Sequence, residues 1–397
     1  MKILHVINDM DPRMGGVSQA VRSITRGLQN VSNIINEVVS LDSPDAPFLK
    51  SESVPVHALG PAIKPWSYSA KLYPWLINNL QRFDVVIIHG LWLYQSYAVR
   101  KAILERSKAK TVAGISPRLF VMPHGMLDPY FQRAADRKLK AVRNWIYWKL
   151  IESKVINQAS GVMFTCEAEL MLARQSFRPY HPKRQLNVGL GIDEPPPFNP
   201  SMIEAFFNAC EGVRNRPYIL FLGRIHEKKG VSQLIEAYVK VYTANSPRLV
   251  IAGPGLDSIY GQKIWRLVSE NDKIKDSVFF PGMLMGEAKW GAFFGCQAFV
   301  LPSHQENFGI AVVEALACSK AVLISNQVNI WREIDAKGGG IVENDTVEGT
   351  IRLLERWLNL SQEQQLDFRQ RAFETYKTYF TVTATSLNWT DSLRITD

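Results

Sequence analysis

Short, almost wholly apolar segments recur along this chain, most of them followed by a helix-patterned stretch, and they fall into two series separated by three consecutive prolines. A strand that is apolar on both faces has to be covered on both faces, which is the situation of a parallel sheet with helices above and below it. The first series predicts strands over residues 2–7, 37–40, 84–89, 119–122, 162–165 and 186–188. The second predicts 218–222, 249–252, 278–280, 298–301 and 322–325. Within the second, Leu234, Ile235, Tyr238, Val241 and Tyr242 recur at helical spacing, with Ser232 as the candidate cap. Residues 191–200, GIDEPPPFNP, divide the series, because successive prolines neither donate ladder hydrogen bonds nor continue a helix. The reading is two doubly wound α/β domains, 1–192 and 201–378, joined by a linker at 193–200. The tail from 379 carries Leu387, Trp389 and Leu393 without a strand of its own and is predicted to dock as a helix on the first domain.

Composition narrows the function classes. The 397 residues, 46% of them apolar, suffice for two domains of roughly 200 residues each. No apolar run approaches the roughly 20 residues that a membrane helix needs. The opening MKILHVINDM reads as one short buried strand, without the features of a signal peptide, so the expected location is the cytoplasm. Cys166, Cys210, Cys296 and Cys318 lie far apart and form no CxxC pair, which predicts buried thiols and argues against a zinc site or a disulfide framework. The excess of 46 basic over 37 acidic residues suits an anionic ligand, an anionic membrane surface or nucleic acid. No recognised nucleic-acid module accompanies it, which disfavours the last.

Four segments carry chemistry. After the first strand, Gly15 and Gly16 open a helix, and backbone amides at a helix N-terminus suit a phosphate; an ordinary strand-to-helix turn is the alternative. Asp9 and Asp11 in the same loop spell a DxD, but two carboxylates without a further acidic partner make a poor magnesium cage, so no metal is expected. In PYILFLGRIHEKKG, Arg224 and Lys229 follow a strand's carboxyl end, where open α/β sheets bind ligands. They could neutralise a diphosphate or form a solvated surface pair. In LPSHQENFGIAVVEALACSKAVLIS, Glu306 sits in a polar loop and Glu314 inside an apolar helix, where a carboxylate costs free energy unless paired or ligand-bound. A buried structural salt bridge at Glu314 with an exposed Glu306 is the other reading of that segment.

Glu306 and Glu314, preceded by PS and followed by EALA, resemble the Glu-x7-Glu signature of the retaining glycosyltransferases of family 4, which adopt the GT-B fold. The glycine pair at Gly15, the GR...KG run at Arg224 and Lys229, and the GPG turn at Gly253 fall in the order of that family across essentially the whole chain. PHGMLDP at 123–129, followed by a basic helix, is similar to a subgroup that makes bacterial, notably cyanobacterial, exopolysaccharides. CSKAV at 318–322 departs from the family, which has a glycine before a proline at that turn. The resemblance implies an α/β chain of two Rossmann-like domains facing a central cleft, with the donor held mainly by the second and the acceptor by the first. It implies that Arg224 and Lys229 bind the donor diphosphate and that Glu314 binds the ribose hydroxyls. Glu306 and the backbone of Asn307, Phe308 and Gly309 would hold the donor sugar, with Ile310 next to them. Gly282, Met283 and Leu284 would meet the nucleobase, and His124 the donor sugar near the reacting carbon.

The implied activity is hexosyl transfer without a metal or other cofactor, from a nucleotide diphosphate sugar such as UDP-glucose to a saccharide acceptor that is lipid-linked or polymeric. No carboxylate resembles the nucleophile of a retaining hydrolase, so retention is read as attack from the leaving-group face. A sugar-nucleotide 2-epimerase of the same fold and a non-catalytic sugar-nucleotide-binding module are the alternatives; the intact Glu306, Glu314, Arg224 and Lys229 speak for the transferase. On the acceptor side, His89, Trp92 and Tyr94 follow a strand of the first domain and suit sugar stacking, although Trp92 suits core packing equally well. Residues 133–156 hold seven basic residues against Asp136 and Glu152. Their stripe of Leu139, Val142, Ile146 and Leu150 is expected to bury against the core, or else the helix docks on anionic lipid or an acceptor's pyrophosphate.

Overall fold

The computed structural model describes residues 1–29, 31, 33–108, 116–134 and 137–394; Asp136 of the basic segment lies outside them. The chain divides into two compact units, Met1–Gly191 together with Val382–Asp397, and Ile192–Thr381. Each is built on one wholly parallel sheet.

In the first unit, β1 (Lys2–Val6), β2 (Ile35–Ser40), β3 (Val56–Ala58), β4 (Val85–His89), β5 (Arg118–Met122), β6 (Gly161–Phe164) and β7 (Gln185–Asn187) stand in the order 3-2-1-4-5-6-7. All five residues of β4 are buried, as a central strand covered by helices on both faces requires. Burying each Val or Ile side chain there contributes roughly 1.5–3 kcal/mol. The strand order reverses between β1 and β4, so the loops leaving those two strands diverge and open a crevice at their carboxyl ends. The helix Val382–Arg394 packs on this unit: Val382 abuts Gly27, Trp389 donates its indole N–H to Gly189 O at 3.3 Å, and Leu393 is buried. Leu387, expected to help that docking, points outward.

The second unit orders β8 (Tyr218–Leu222), β9 (Arg248–Ala252), β10 (Val278–Gly282), β11 (Ala298–Leu301), β12 (Ala321–Ser325) and β13 (Gly340–Glu343) as 10-9-8-11-12-13. Here the reversal lies between β8 and β11. The helix after β8, Val231–Val241, is capped by Gly230 in the left-handed region (φ 67°) rather than by Ser232. Only glycine fits, because a Cβ at residue 230 would lie 2.0 Å from Pro302 O.

The basic segment folds as Lys138–Tyr147, a π-turn Trp148–Glu152, and Ser153–Gln158. Its inward side is Asn144, Tyr147, Trp148, Glu152, Val155 and Ile156. The stripe expected to bury is the exposed one: Leu139 is 89% exposed, Val142 59%, Ile146 48% and Leu150 64%. A π-turn inserts one residue into the helical repeat, so a stripe drawn at constant spacing does not stay on the core face. Here Trp148, stacked on Phe177 at 4.8 Å between ring centroids, sets the phase.

Candidate functional site

In the second unit the loops after β8 and β11 lie side by side at the switch point, and backbone contacts fasten them. His304 donates its N–H to Lys228 O at 2.9 Å, and the Gly230 turn presses on Pro302. This places Lys229 in an ion pair with Glu306, both side chains mostly buried. The loop after β12 steadies Glu306 from the other side, through Glu306 N–H to Gln327 O at 2.9 Å and Asn329 N–H to Glu306 O at 3.0 Å. Burial, Lys228 and Arg224 together pull the Lys229 ammonium down to about 7. Arg224, on the same loop, is exposed.

The loops after β9 and β10 complete this edge. Gly253 donates to Gly282 O at 2.7 Å and packs so closely on Gly223 that a Cβ would lie 2.0 Å from its carbonyl. Met283 is 47% exposed there, whereas Leu284 is buried. The helix Ile310–Ala317 starts from Gly309 in the left-handed region with no side-chain cap, and Phe308 just before it is buried. Glu314, only 6% exposed on that helix, pairs with Lys289 at 2.6 Å. The buried salt bridge weighed as an alternative is therefore present. Burial raises the Glu314 carboxyl, and Lys289 partly offsets the shift. Lys289 carries no sequence signal beyond the requirement that a buried carboxylate find a counter-ion.

In the first unit, Gly15 takes φ 105° and ψ −145°, a conformation reserved for glycine, immediately before the helix Gly16–Gln29. Asp11 is engaged by Arg13 through two N–H groups at 2.7–3.1 Å, and Asp9 accepts from Asn8 at 2.7 Å. Among the described residues, no cluster of three His, Cys, Asp or Glu suited to a metal ion occurs. All four cysteines are buried free thiols.

Sequence reasoning singled out His89 and His124 and missed the chain they belong to. His5 Nδ1 lies 2.9 Å from His89 Nε2, and His89 Nδ1 lies 3.0 Å from His124 Nε2. At the far end, His5 Nε2 meets Asn36 Oδ1 at 3.1 Å, while Asn36 Nδ2 donates to Thr25 O at 3.3 Å. Burial pulls His5 down to about 4, His124 down to about 3, and His89 well below its usual value, so all three rings are neutral at pH 7. A neutral imidazole has one N–H and one lone-pair nitrogen. Asn36 presents its oxygen, so His5 carries its proton on Nε2, and the pattern propagates through His89 to leave Nδ1 of His124 as the lone-pair atom. Glu169 holds the adjoining turn, accepting from Gly125 N–H at 2.5 Å and from the Thr165 N–H at 2.8 Å. The signal for this chain was a histidine within one mostly apolar strand and another at the end of a second, where a buried polar group needs a partner.

Trp92, a candidate acceptor contact, is 8% exposed and packs against Phe177 and Trp148. Its backbone N–H donates to the buried Glu152 carboxylate at 2.7 Å. Tyr94 instead lines an open groove of the first unit.

The glycosyl transferases group 1 family matches residues 204–375, and the glycosyl transferase 4-like domain matches 15–189. A GDP-mannose:cellobiosyl-diphosphopolyprenol alpha-mannosyltransferase of Xanthomonas campestris is 23% identical over 95% of this chain and 92% of its own length. Among solved structures, Anabaena HepE in complex with UDP and glucose superimposes with a TM-score of 0.72 at 17% identity, covering 99% of each chain. Sucrose-phosphate synthase of Thermosynechococcus elongatus does so with a TM-score of 0.70 at 16% identity, over 99% of this chain and 98% of that one. With two Rossmann-like units matched by these two families over nearly their whole lengths, the chain belongs to the group 1, family 4-like glycosyltransferases of the GT-B fold.

Proposed function

We propose that this glycosyltransferase moves a hexosyl group, with retention and without a metal, from UDP-glucose to a lipid-linked saccharide. The observation that carries the reading is the convergence of Arg224, Lys229 and Glu306 at the switch point of the second sheet, with Glu314 on the adjoining helix. The Lys229 ammonium has three N–H donors, so it can keep Glu306 and also take a phosphate oxygen. Glu306, fixed by its neighbours' backbone, accepts from sugar hydroxyls. Glu314, paired with Lys289, accepts from the ribose. Arg224 and Lys229 stabilise charge developing on the departing diphosphate, whose oxygen takes the proton of the attacking hydroxyl on the same face. His124 offers Nδ1 as a neutral hydrogen-bond acceptor to a sugar hydroxyl. Catalysis then rests on positioning and electrostatics. The lipid-linked acceptor is supported by the Xanthomonas relative, whose name specifies a diphosphopolyprenol acceptor. That name also favours GDP-mannose as a second candidate donor.

The test is transfer from each donor in excess EDTA, with the anomeric configuration of the product read by NMR. An α-linked product that forms undiminished under chelation is expected. A β-linked product refutes retention, and activity restored only by magnesium or manganese would return the metal to Asp9 and Asp11. Melting temperature rising with UDP-glucose and not with GDP-mannose distinguishes the donors.

A further inference from the structure

The outward stripe of the basic helix does not stand alone. Leu139, Val142, Ile146 and Leu150 form one wall of a groove of about 790 Å³ within the first unit. The facing wall is aromatic: Trp66, Tyr68, Tyr94 and Tyr97. Trp66 and Tyr68 sit on a turn closed by the Ile63–Tyr68 bridge, with the Trp66 ring stacked on Tyr147 at 5.1 Å. A contiguous apolar surface of this extent is uncommon on a protein with nothing to place there. The rim is cationic. Between residues 137 and 151 the sequence has Arg137, Lys138, Lys140, Arg143 and Lys149 and no acidic residue. Arg143 itself lines the groove, its guanidinium 5.9 Å from the centroid of Trp66.

We infer that this groove holds the prenyl chain of a lipid-diphosphate acceptor, with Arg143 on the diphosphate. The inference rests on the lipid-linked acceptor proposed above and names the part of the molecule that would bind it. Charge selects this occupant, because an arginine stands among the aromatic and aliphatic side chains that line the groove. A second copy related by a two-fold axis would set the same cationic rim against itself. A chain that is apolar along its length and doubly anionic at its head matches both the walls and the rim.

Farnesyl diphosphate, a short soluble prenyl diphosphate, is the probe, and isothermal titration on the full chain is the assay. Binding at least tenfold tighter than that of inorganic pyrophosphate or farnesol is expected. Ile146→Gln and Arg143→Gln alter exposed side chains and should each weaken it at least fivefold, while leaving UDP affinity and the melting temperature unchanged. Pyrophosphate binding as tightly as the prenyl diphosphate overturns the inference, because the groove would then add nothing. So does binding to anionic vesicles without any to farnesyl diphosphate, which assigns the face to the bilayer. A dimer in sedimentation that Ile146→Gln dissociates assigns it to a second copy and overturns it as well. If farnesyl diphosphate binds as expected but no nucleotide sugar yields product with any acceptor, the groove stands and the transfer reading falls.

Discussion

Replacing Lys289 by methionine separates a structural role of Glu314 from a chemical one. The substitution keeps an apolar stem against Trp290, whose ring centroid lies 4.8 Å from Nζ, and removes the 2.6 Å counter-ion of a carboxylate that is 6% exposed. Breaking a buried pair from one side costs about 3–5 kcal/mol. The Lys289 side chain remains 24% exposed, which favours the lower end, about 3 kcal/mol. For a unit of this size each kcal/mol moves the melting temperature by about 2–4 °C, so a drop of roughly 6–12 °C is expected at pH 7.5. The sign of the pH dependence follows from Glu314. Burial already raises its carboxyl, and without Lys289 the folded-state value rises further. The unfolded chain then gives up that proton near pH 4.3 while the folded chain still holds it, so the variant's deficit is small at acid pH. It grows as pH rises and levels off once pH passes the folded-state value. Glu314→Gln in the same background removes the charge and should recover most of the loss. Scanning calorimetry of both variants from pH 4.5 to 8 reads all of this. A single variant melting within about 1 °C of the parent at pH 7.5, or a double variant no better than the single one, refutes the buried charge pair.

Arg224→Ala and Lys229→Ala should each weaken UDP binding by roughly 1.5–3 kcal/mol, about 10- to 150-fold by titration calorimetry, with the fold intact; unchanged affinity in both removes them from the site. Because Lys229 is held down to about 7, UDP binding near pH 8 should take up a proton, seen as a dependence of the heat on buffer ionisation enthalpy. Nitrogen-15 spectra should show His5, His89 and His124 neutral and protonated on Nε2 at pH 6.5, and a charged ring there contradicts the relay. These folded-state values are depressed, so the stability they hold is present above about pH 6.5 and falls as pH drops toward 4, by up to about 1.4 kcal/mol per pH unit for each ring.

The strands were legible because buried parallel strands concentrate Val, Ile, Leu and Phe into short runs. Eleven were expected, and those over 218–222 and 298–301 coincide with β8 and β11 to the residue. The two that escaped, β3 and β13, are VHA and GIVE, at the outer edges of their sheets and too short or too polar to stand out. The exposed stripe of the basic helix was assigned to the core because periodicity gives the width of an apolar face and not its direction. A single π-turn then decides which side packs.

At the sites, what could be read was the residues that loops present; what could not was the residues that hold them. Arg224, Lys229, Glu306 and Glu314 were accessible because charge at a strand's carboxyl end, or inside an apolar helix, violates a local rule that only a ligand or a partner restores. Lys289 and Glu169 restore such rules from elements remote in sequence, and Asn36 sets the protonation of a histidine 88 positions away through two others. None of these contacts has a spacing, because each joins strands or helices that meet only once the sheet has formed. The direction of a hydrogen bond at one end of a buried chain fixes the chemistry at the other, so the character of His124 as an acceptor is a property of the fold around β1 and β4 rather than of the motif that contains it.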